Sequence, residues 1–229
     1  MRSIRTKFLV ASSLLIFVTA PTLSRADGCF EDDRCSIAKS YRDCPAEGST
    51  KSRVQPNLSA QTKQDNILKN RDCKPTSVKR VKVEEIRDPR LNNSFYPDMG
   101  VEVTGYVARV LPGGLRESCN CYREDLRDLN IELVADESEV GDARKHVIVE
   151  ISPRWEQRFG FDDSNYEAML HTFKNQIEGK WVTFTGWMFY DSAHVDQSES
   201  TALGNPQNWR ATPWEVHPVT SYKVLPGRP

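Results

Sequence analysis

Four residues in the last 40 positions are the candidates to bind a metal ion or transfer a proton. Asp191 and His194 form a D-x-x-H turn after an aromatic run, and Glu215 and His217 follow on a later segment. Residues two apart on a strand face the same side, so Glu215 and His217 are expected on one face. Imidazoles and a carboxylate can hold a divalent ion that keeps an open water position, or serve as a general acid and base.

These spacings match no established zinc signature, so no cofactor can be assigned from them. A divalent metal ion bound by His194 and His217 is one of two interpretations of these residues. The other alternative is that Glu215 and His217 are buried polar residues that hold a strand end in place. Nearby aromatic rings could stack on sugars or bases, as OB-folds often do, although most aromatic residues pack in cores. The ligand-binding candidates are Trp187, Tyr190, Trp209 and Arg210.

The clearest strand signal is the run at residues 179–194, in which apolar residues alternate with a period of two. Val182, Phe184 and Met188 lie on one face and aromatic residues on the other, so both faces are partly apolar. This pattern is typical of a central barrel strand. Asp191 and His194 would then lie at the barrel rim, where small barrels hold ligands.

Four further segments alternate in the same way, at residues 101–108, 129–134, 147–151 and 214–224. A helix signal precedes the run at 179–194: Ser164 and Glu167 fit a capping box, and apolar residues up to Ile177 recur at helical spacing. Gly105 suits a bulge in the first strand, and Pro218 predicts an edge or a bulge in the last.

The predicted order is β-β-β-α-β-β, which is that of an OB-fold. We therefore predict a mainly β protein, with a five-stranded OB-fold-like Greek-key barrel and one capping helix at residues 78–229. A Rossmann-type sheet does not fit, because it needs helices between most of its strands.

Residues 1–26 have the pattern of a secretory signal peptide. Basic residues precede an apolar run at residues 8–20, and Ser24 and Ala26 supply the small residues of a cleavage site. The apolar run is too short to span a bilayer, so no membrane span is predicted. We expect an exported protein, either periplasmic or secreted.

Residues 27–77 form a polar segment with few aliphatic residues to bury, which predicts a partly disordered extension that depends on its cysteines. An even number of cysteines in an oxidising compartment predicts disulfides but does not fix their pairing. The expected disulfide cysteines are Cys29, Cys35, Cys44, Cys73, Cys119 and Cys121. For Cys119 and Cys121, a nucleophile or redox pair is the alternative.

The charge balance argues against one class of partner. Residues 1–26 contain four basic and no acidic residues, so without them 27 Lys+Arg face 32 Asp+Glu, a net charge of −5. Nonspecific nucleic-acid binders normally carry a basic excess, so no such binding is expected. A small molecule, a glycan or a protein stays open as partner, as does the oligomeric state.

Several motifs between residues 100 and 225 resemble a group of small secreted bacterial proteins with an OB-like barrel. The resemblance rests on Glu117-Ser-Cys-Asn-Cys121, Gly179-Lys-Trp-Val-Thr-Phe-Thr-Gly-Trp187, Asp191-Ser-Ala-His194 and Asn208-Trp-Arg-Ala-Thr-Pro-Trp-Glu-Val-His-Pro-Val-Thr220. It implies the barrel and the choice of site, but no reaction. Similarity to thermonuclease, a secreted OB-fold enzyme that uses carboxylates, calcium and arginines on phosphodiesters, is at the level of the fold, which does not fix function.

The sequence therefore predicts an exported OB-fold binding or interaction module with an Asp/His/Glu/His site at the rim. A metal-assisted or acid/base hydrolase, nuclease-like in its chemistry, is one alternative. A disulfide-stabilised structural envelope protein is the other. Whether the protein is an enzyme stays open.

Overall fold

The structure is a computed structural model that describes residues 40–50, 57–161 and 164–229; the predicted signal peptide lies outside them. The described part is mainly β. Its strands are β1 (Lys79–Lys82), β2 (Gly100–Pro112), β3 (Leu129–Val134), β4 (Val147–Ile151), β5 (Trp181–Tyr190) and β6 (Trp214–Val224). Its α-helices are α1 (Ala60–Lys69), α2 (Val83–Arg87), α3 (Pro153–Arg158) and α4 (Tyr166–Ile177).

Strands β2 to β6 close into a five-stranded barrel, which confirms the predicted fold class. Their order is β2-β3-β4-β6-β5, and β5 pairs with β2 to complete the ring. The β4–β6 pair is parallel and the other pairs of the ring are antiparallel. The helix α4 lies between β4 and β5 in the chain, as in an OB-fold. Outside the ring, β1 adds a parallel strand to β2.

Irregularities in the long strands occur near the predicted positions. In β2 the register shifts between Val107 and Arg109, two residues after Gly105. In β6 the register shifts on both sides of the Gly186–Val219 pair, next to Pro218, which confirms the bulge predicted from this proline. A Cβ atom on Gly186 would lie 2.5 Å from the Pro218 carbonyl oxygen, so only glycine permits this close approach.

The barrel interior is filled by the inward-facing side chains of all five strands. These include Val103, Leu133, Val149, Phe184 and Val216, each of which is fully buried. Met169, Phe173 and Ile177 on one face of α4 join the same core. Burial of one large aliphatic side chain stabilises a fold by about 1.5–3 kcal/mol, so this core holds the barrel rim in place.

The predicted single capping helix corresponds to α4, but the described residues contain four α-helices. The helix starts at Tyr166 with Asn165 as N-cap, whose side chain accepts a hydrogen bond from the Ala168 amide. The predicted capping box at Ser164 and Glu167 is thus replaced by a cap one residue later. None of the helices in the described ranges is long and apolar enough to cross a membrane.

Residues 57–77 pack on the barrel, whereas the sequence prediction placed them in a separate, partly disordered extension. Asn70 Nδ2 donates to the Cys119 carbonyl oxygen at 3.0 Å, and Trp155 Nε1 donates to the Arg71 carbonyl oxygen at 2.9 Å. They belong to the same compact unit as the barrel. Buried amide and guanidinium groups, paired with backbone carbonyls, replace the apolar contacts that the segment lacks.

Of the four predicted disulfide cysteines in the described residues, three are disulfide-bonded. Cys44 and Cys121 form a disulfide with a Cα–Cα distance of 5.8 Å, and Cys73 is disulfide-bonded as well. Cys119, which was expected in a disulfide, is a buried free thiol, because Cys121 takes Cys44 while the Cys119 thiol faces Glu117. Cys29 and Cys35 lie outside the described residues.

Candidate functional site

A polar pocket of about 550 Å³ opens at one end of the barrel. One wall is α1, which contributes Lys69, and another is the β2–β3 loop, which contributes Glu117. The opposite wall is the segment after β5, with His194, together with Trp209. Glu150, at the end of β4, lies at the pocket floor. The pocket thus brings together residues that are far apart in the sequence.

The first pair of predicted residues forms a hydrogen bond on the pocket wall. Asp191 follows β5 directly and caps the next 3-10 helix by accepting from the Ala193 amide. This short helix turns His194 back, so that His194 Nδ1 donates to Asp191 Oδ2. The half-buried imidazole also packs edge-on against Trp209, at 5.2 Å between ring centres. Its Nε2 atom has no hydrogen-bond partner in the described part of the chain.

Arg210 links the two pairs of predicted residues. Its side chain is 1% exposed, and it donates to Asp191 Oδ2 at 3.1 Å and to Glu215 Oε2 at 2.9 Å. The guanidinium also donates to the Thr212 carbonyl oxygen at 2.8 Å, which fixes its orientation. Arginine suits this position because its planar fork can serve two carboxylates at once.

His217 continues the network toward β4. Its Nδ1 atom lies 3.3 Å from Glu215 Oε1 and 2.8 Å from Glu150 Oε2. Glu150 in turn accepts a hydrogen bond of 2.8 Å from Asn130 Nδ2. Burial lowers the pKa of His217, but Glu150, Glu215 and Asp128 outweigh it and raise this pKa to about 10. His217 is therefore cationic at neutral pH.

The pKa values of the two carboxylates beside Arg210 are lowered. For Asp191, burial opposes ionisation, but the hydrogen bond from His194 and the charges of Lys69 and Arg210 hold the pKa well below its usual value. For Glu215, burial and the charge of Asp191 raise the pKa, but Arg210 and His217 outweigh them, so the pKa is lowered overall. The hydrogen bond to Asp191 raises the pKa of His194. Both carboxylates are thus ionised at neutral pH.

Asp128 lies beneath this network and differs from its neighbours. It is 1% exposed, and neither carboxylate oxygen has a hydrogen-bond partner in the described part of the chain. Burial, together with Glu117, raises its pKa well above the usual value. The nearest imidazole atom, His217 Nε2, is 3.9 Å from Asp128 Oδ2 and is also without a partner.

Lys69 and Cys119 face each other from α1 and the β2–β3 loop. Burial opposes the charge of Lys69, but Cys119, Glu117 and Asp191 raise its pKa well above the usual value, so it is cationic. Burial also raises the pKa of the Cys119 thiol, against the effect of Lys69. A protonated thiol is a poor nucleophile, which disfavours the alternative of a nucleophilic cysteine pair.

The structure separates the four predicted ligand-binding residues into two groups. Trp209 and Arg210 line the pocket. Trp187 donates through Nε1 to the Cys73 carbonyl oxygen at 2.9 Å, with the Arg71 guanidinium over its ring. Tyr190 packs edge-on against Trp214, at 5.0 Å between ring centres. Neither Trp187 nor Tyr190 lines the pocket.

Lys69, Asp128 and Glu150 are among the residues of the site that were not predicted from the sequence. Asp128 and Glu150 lie beside predicted strand ends, and this position is the one signal that could have found them. Lys69 gave no such signal, because it comes from the segment that was interpreted as an extension. Of the two predicted metal ligands, His217 lies in a cluster with metal-ligand distances, together with Asp128 and Glu150.

Comparisons with protein-family models, with curated proteins and with solved structures find no match to this chain. The chemistry of the pocket therefore follows from its own side chains.

Proposed function

We propose that the protein is an exported OB-fold-like binding module, whose pocket takes a small molecule with a carboxylate or phosphate group. The carrying observation is that Lys69, cationic and inside the pocket, has spare hydrogen-bond donors. Its Nζ atom has no acceptor within hydrogen-bond distance among the described residues, and Glu117 Oε2 lies 3.9 Å away. The signal-peptide pattern and the Cys44–Cys121 disulfide support export.

The acceptors around the pocket are already engaged. Glu117 accepts from the Gly114 amide at 2.7 Å and from the Cys119 thiol at 3.5 Å. Both oxygens of Glu150 accept hydrogen bonds, and Asp191 accepts from His194 and Arg210. These carboxylates therefore have little capacity left for a cationic ligand.

The donors, in contrast, have free capacity. Besides Lys69, the pocket is lined by His194, whose Nε2 atom is unpaired, and by the exposed guanidinium of Arg116. Charge-assisted hydrogen bonds to carboxylate or phosphate are stronger than neutral ones. Trp209 and Phe189 add apolar surface, which suits a small organic anion rather than a bare inorganic ion.

The test is a thermal-shift and calorimetric screen of the purified protein with small carboxylates and phosphate monoesters. We expect at least one of them to raise the melting temperature, and Lys69→Met to weaken its binding about tenfold to hundredfold, the cost of a charged hydrogen bond. Lys63→Met, an exposed lysine on the same helix, is the matched control and should bind like the wild type. No shift with any anion, or equal affinity in Lys69→Met, would overturn the proposal.

A second candidate function is acid/base hydrolysis. It is favoured by the Asp191–His194 hydrogen bond, since a carboxylate-oriented imidazole on a pocket wall is suited to donate a proton. A screen of ester and phosphoester substrates tests it. Turnover that is lost in His194→Gln, while anion binding through Lys69 persists, would favour the hydrolase over the binding module.

A further inference from the structure

The pocket wall that carries Lys69 is fastened to a short segment, residues 41–49, which we call the strap. Two asparagines of this wall donate to carbonyl oxygens of the strap, Asn66 Nδ2 at 2.7 Å and Asn70 Nδ2 at 3.0 Å. Asn66 precedes Lys69 by three positions, and Asn70 follows it as the C-cap of α1. The strap therefore fixes the part of α1 from which the Lys69 side chain enters the pocket.

The strap also contacts the second pocket wall, the β2–β3 loop. The Ser49 amide donates to the Ser118 carbonyl oxygen at 3.0 Å, and Cys44 forms the disulfide with Cys121. Gly48 packs so closely against the same loop that a Cβ atom there would lie 2.1 Å from the Ser118 carbonyl oxygen. The strap thus connects two walls of the pocket.

The disulfide is the covalent attachment of the strap, and little apolar packing supports it. Among residues 40–50, the buried apolar side chains are those of Cys44 and Ala46. The bond joins positions 77 residues apart, and closing a loop of this length removes much conformational entropy from the unfolded chain. Once the bond is open, the strap is held mainly by hydrogen bonds.

Backbone strain is concentrated on both sides of this bond. Four non-glycine residues of the described part have a positive φ, and each of them lies beside or at one of the two cysteines: Arg42 (47°), Asp43 (65°), Cys121 (55°) and Tyr122 (59°). Such a conformation persists where the surrounding structure enforces it, and it is common in switch regions. Cleavage of the bond removes this constraint, so the backbone on both sides can relax.

We propose that the anion site is redox-controlled: opening of the Cys44–Cys121 disulfide releases the strap, loosens α1 and withdraws Lys69 from the pocket. This inference rests on the proposed function, in which Lys69 binds the anion. The reductant is a dithiol, which becomes a disulfide itself. The bond between Cys44 and Cys121 breaks, and each cysteine receives one electron and one proton. The oxidised protein binds the anion and the reduced protein releases it.

The first test is calorimetry of the purified protein with phenyl phosphate and benzoate as probes. We expect the oxidised protein to bind at least one of them. A dithiol should weaken this binding about tenfold to hundredfold, the loss of one charged hydrogen bond, and reoxidation should restore it. Equal affinity in both redox states would overturn this inference alone. Binding of neither probe by the oxidised protein would contradict the proposed function.

Hydrogen exchange followed by mass spectrometry tests the release of the strap without any ligand. After reduction, peptides from the strap and from α1 should exchange faster, while those from β4 and β5 stay protected. Unchanged exchange in α1 would contradict the proposal. Loss of protection throughout the barrel would contradict it as well, because reduction would then unfold the protein instead of opening the site.

A double variant separates this disulfide from the one that Cys73 forms, since a dithiol reduces both. Cys44→Ser/Cys121→Ser keeps the Cys73 disulfide. It should bind the probes as weakly as the reduced wild type and should not respond to the dithiol. Wild-type affinity in the double variant would show that the strap does not control the site. If this variant fails to fold, hydrogen exchange of the reduced wild type decides.

Discussion

Arg210 and Glu215 form an ion pair of 2.9 Å in which each side chain is only 1% exposed. The same guanidinium reaches Asp191, so one cation contacts both the carboxylate that follows β5 and the carboxylate on β6. These two strands carry the predicted site residues. A single buried side chain therefore contacts the site residues of both strands at the rim.

Replacement of this arginine should be strongly destabilising. Arg210→Met removes the cation that these two buried carboxylates share, and the loss of one partner of a buried pair costs about 3–5 kcal/mol. The free energy of unfolding from urea denaturation measures the effect. Arg80→Gln is the control, because Arg80 is 88% exposed in its pair with Glu102 and should cost less than about 1 kcal/mol. Equal costs for both variants would contradict the role of Arg210.

The Asp191–His194 hydrogen bond should make stability depend on pH in two directions. The pKa of Asp191 is held below its usual 3.8, so its contribution is present above that pH and is lost as the pH falls through the folded pKa. The pKa of His194 is raised above 6.5, so its contribution is present below that pH and is lost as the pH rises through the folded pKa. The difference in the free energy of unfolding between wild type and His194→Gln should be largest between pH 3.8 and pH 6.5. Urea unfolding at a series of pH values measures it.

The same pair has a direct spectroscopic control. In Asp191→Asn the His194 imidazole loses its ionised partner, so its pKa should fall relative to the wild type. A histidine titration by NMR follows this shift. An unchanged titration of His194 would show that the hydrogen bond does not set its charge.

The docking of α1 should depend on Asn70, which is 4% exposed. Its Nδ2 atom donates to the Ala46 and Cys119 carbonyl oxygens, both at 3.0 Å. Asn70→Ala leaves these acceptors unpaired and should lower the free energy of unfolding by about 1–3 kcal/mol. Gln64→Ala, at an exposed position of α1, should be close to neutral. A neutral Asn70→Ala would mean that the helix is not anchored by this residue.

Disulfide mapping should find a peptide that links Cys44 to Cys121 and leaves Cys119 as a thiol. Because Cys119 is 4% exposed and its pKa is raised by burial, alkylation should be slow in the native protein and fast after denaturation without reductant. Mass spectrometry of the digested protein reads out both results. A link from Cys44 to Cys119, or rapid alkylation of Cys119 in the native state, would be the opposite outcome.

The barrel could be predicted because its strands alternate cleanly and its turns are marked by glycine and proline. In the run that became β5, buried and partly buried residues alternate from Val182 to Met188, and Pro218 marked the bulge in β6. The segment before residue 78 could not be read in this way. Its contacts with the barrel use Asn66, Asn70 and Arg71, polar residues that by sequence alone are typical of exposed surface.

About half of the site residues could be predicted from the sequence, because local spacing marks them. Asp191, His194, Glu215 and His217 stand at local spacings that predict proximity, and the structure joins them through Arg210. Asp128, Glu150 and Lys69 come from three other elements. Their approach depends on how the barrel closes and where α1 docks, which no local pattern encodes.

The barrel cannot close before strand β6, the last strand in the chain, is in place. It pairs with both β4 and β5, so a growing chain that lacks it has two open strand edges, which invite intermolecular pairing. Glu215 and His217 arrive on the same strand, so the ring and the ion-pair network that contacts Arg210 and Glu150 appear in one step. Closure joins segments distant in sequence, which slows folding. The ligand would therefore bind only the fully folded chain and not a chain that still lacks β6.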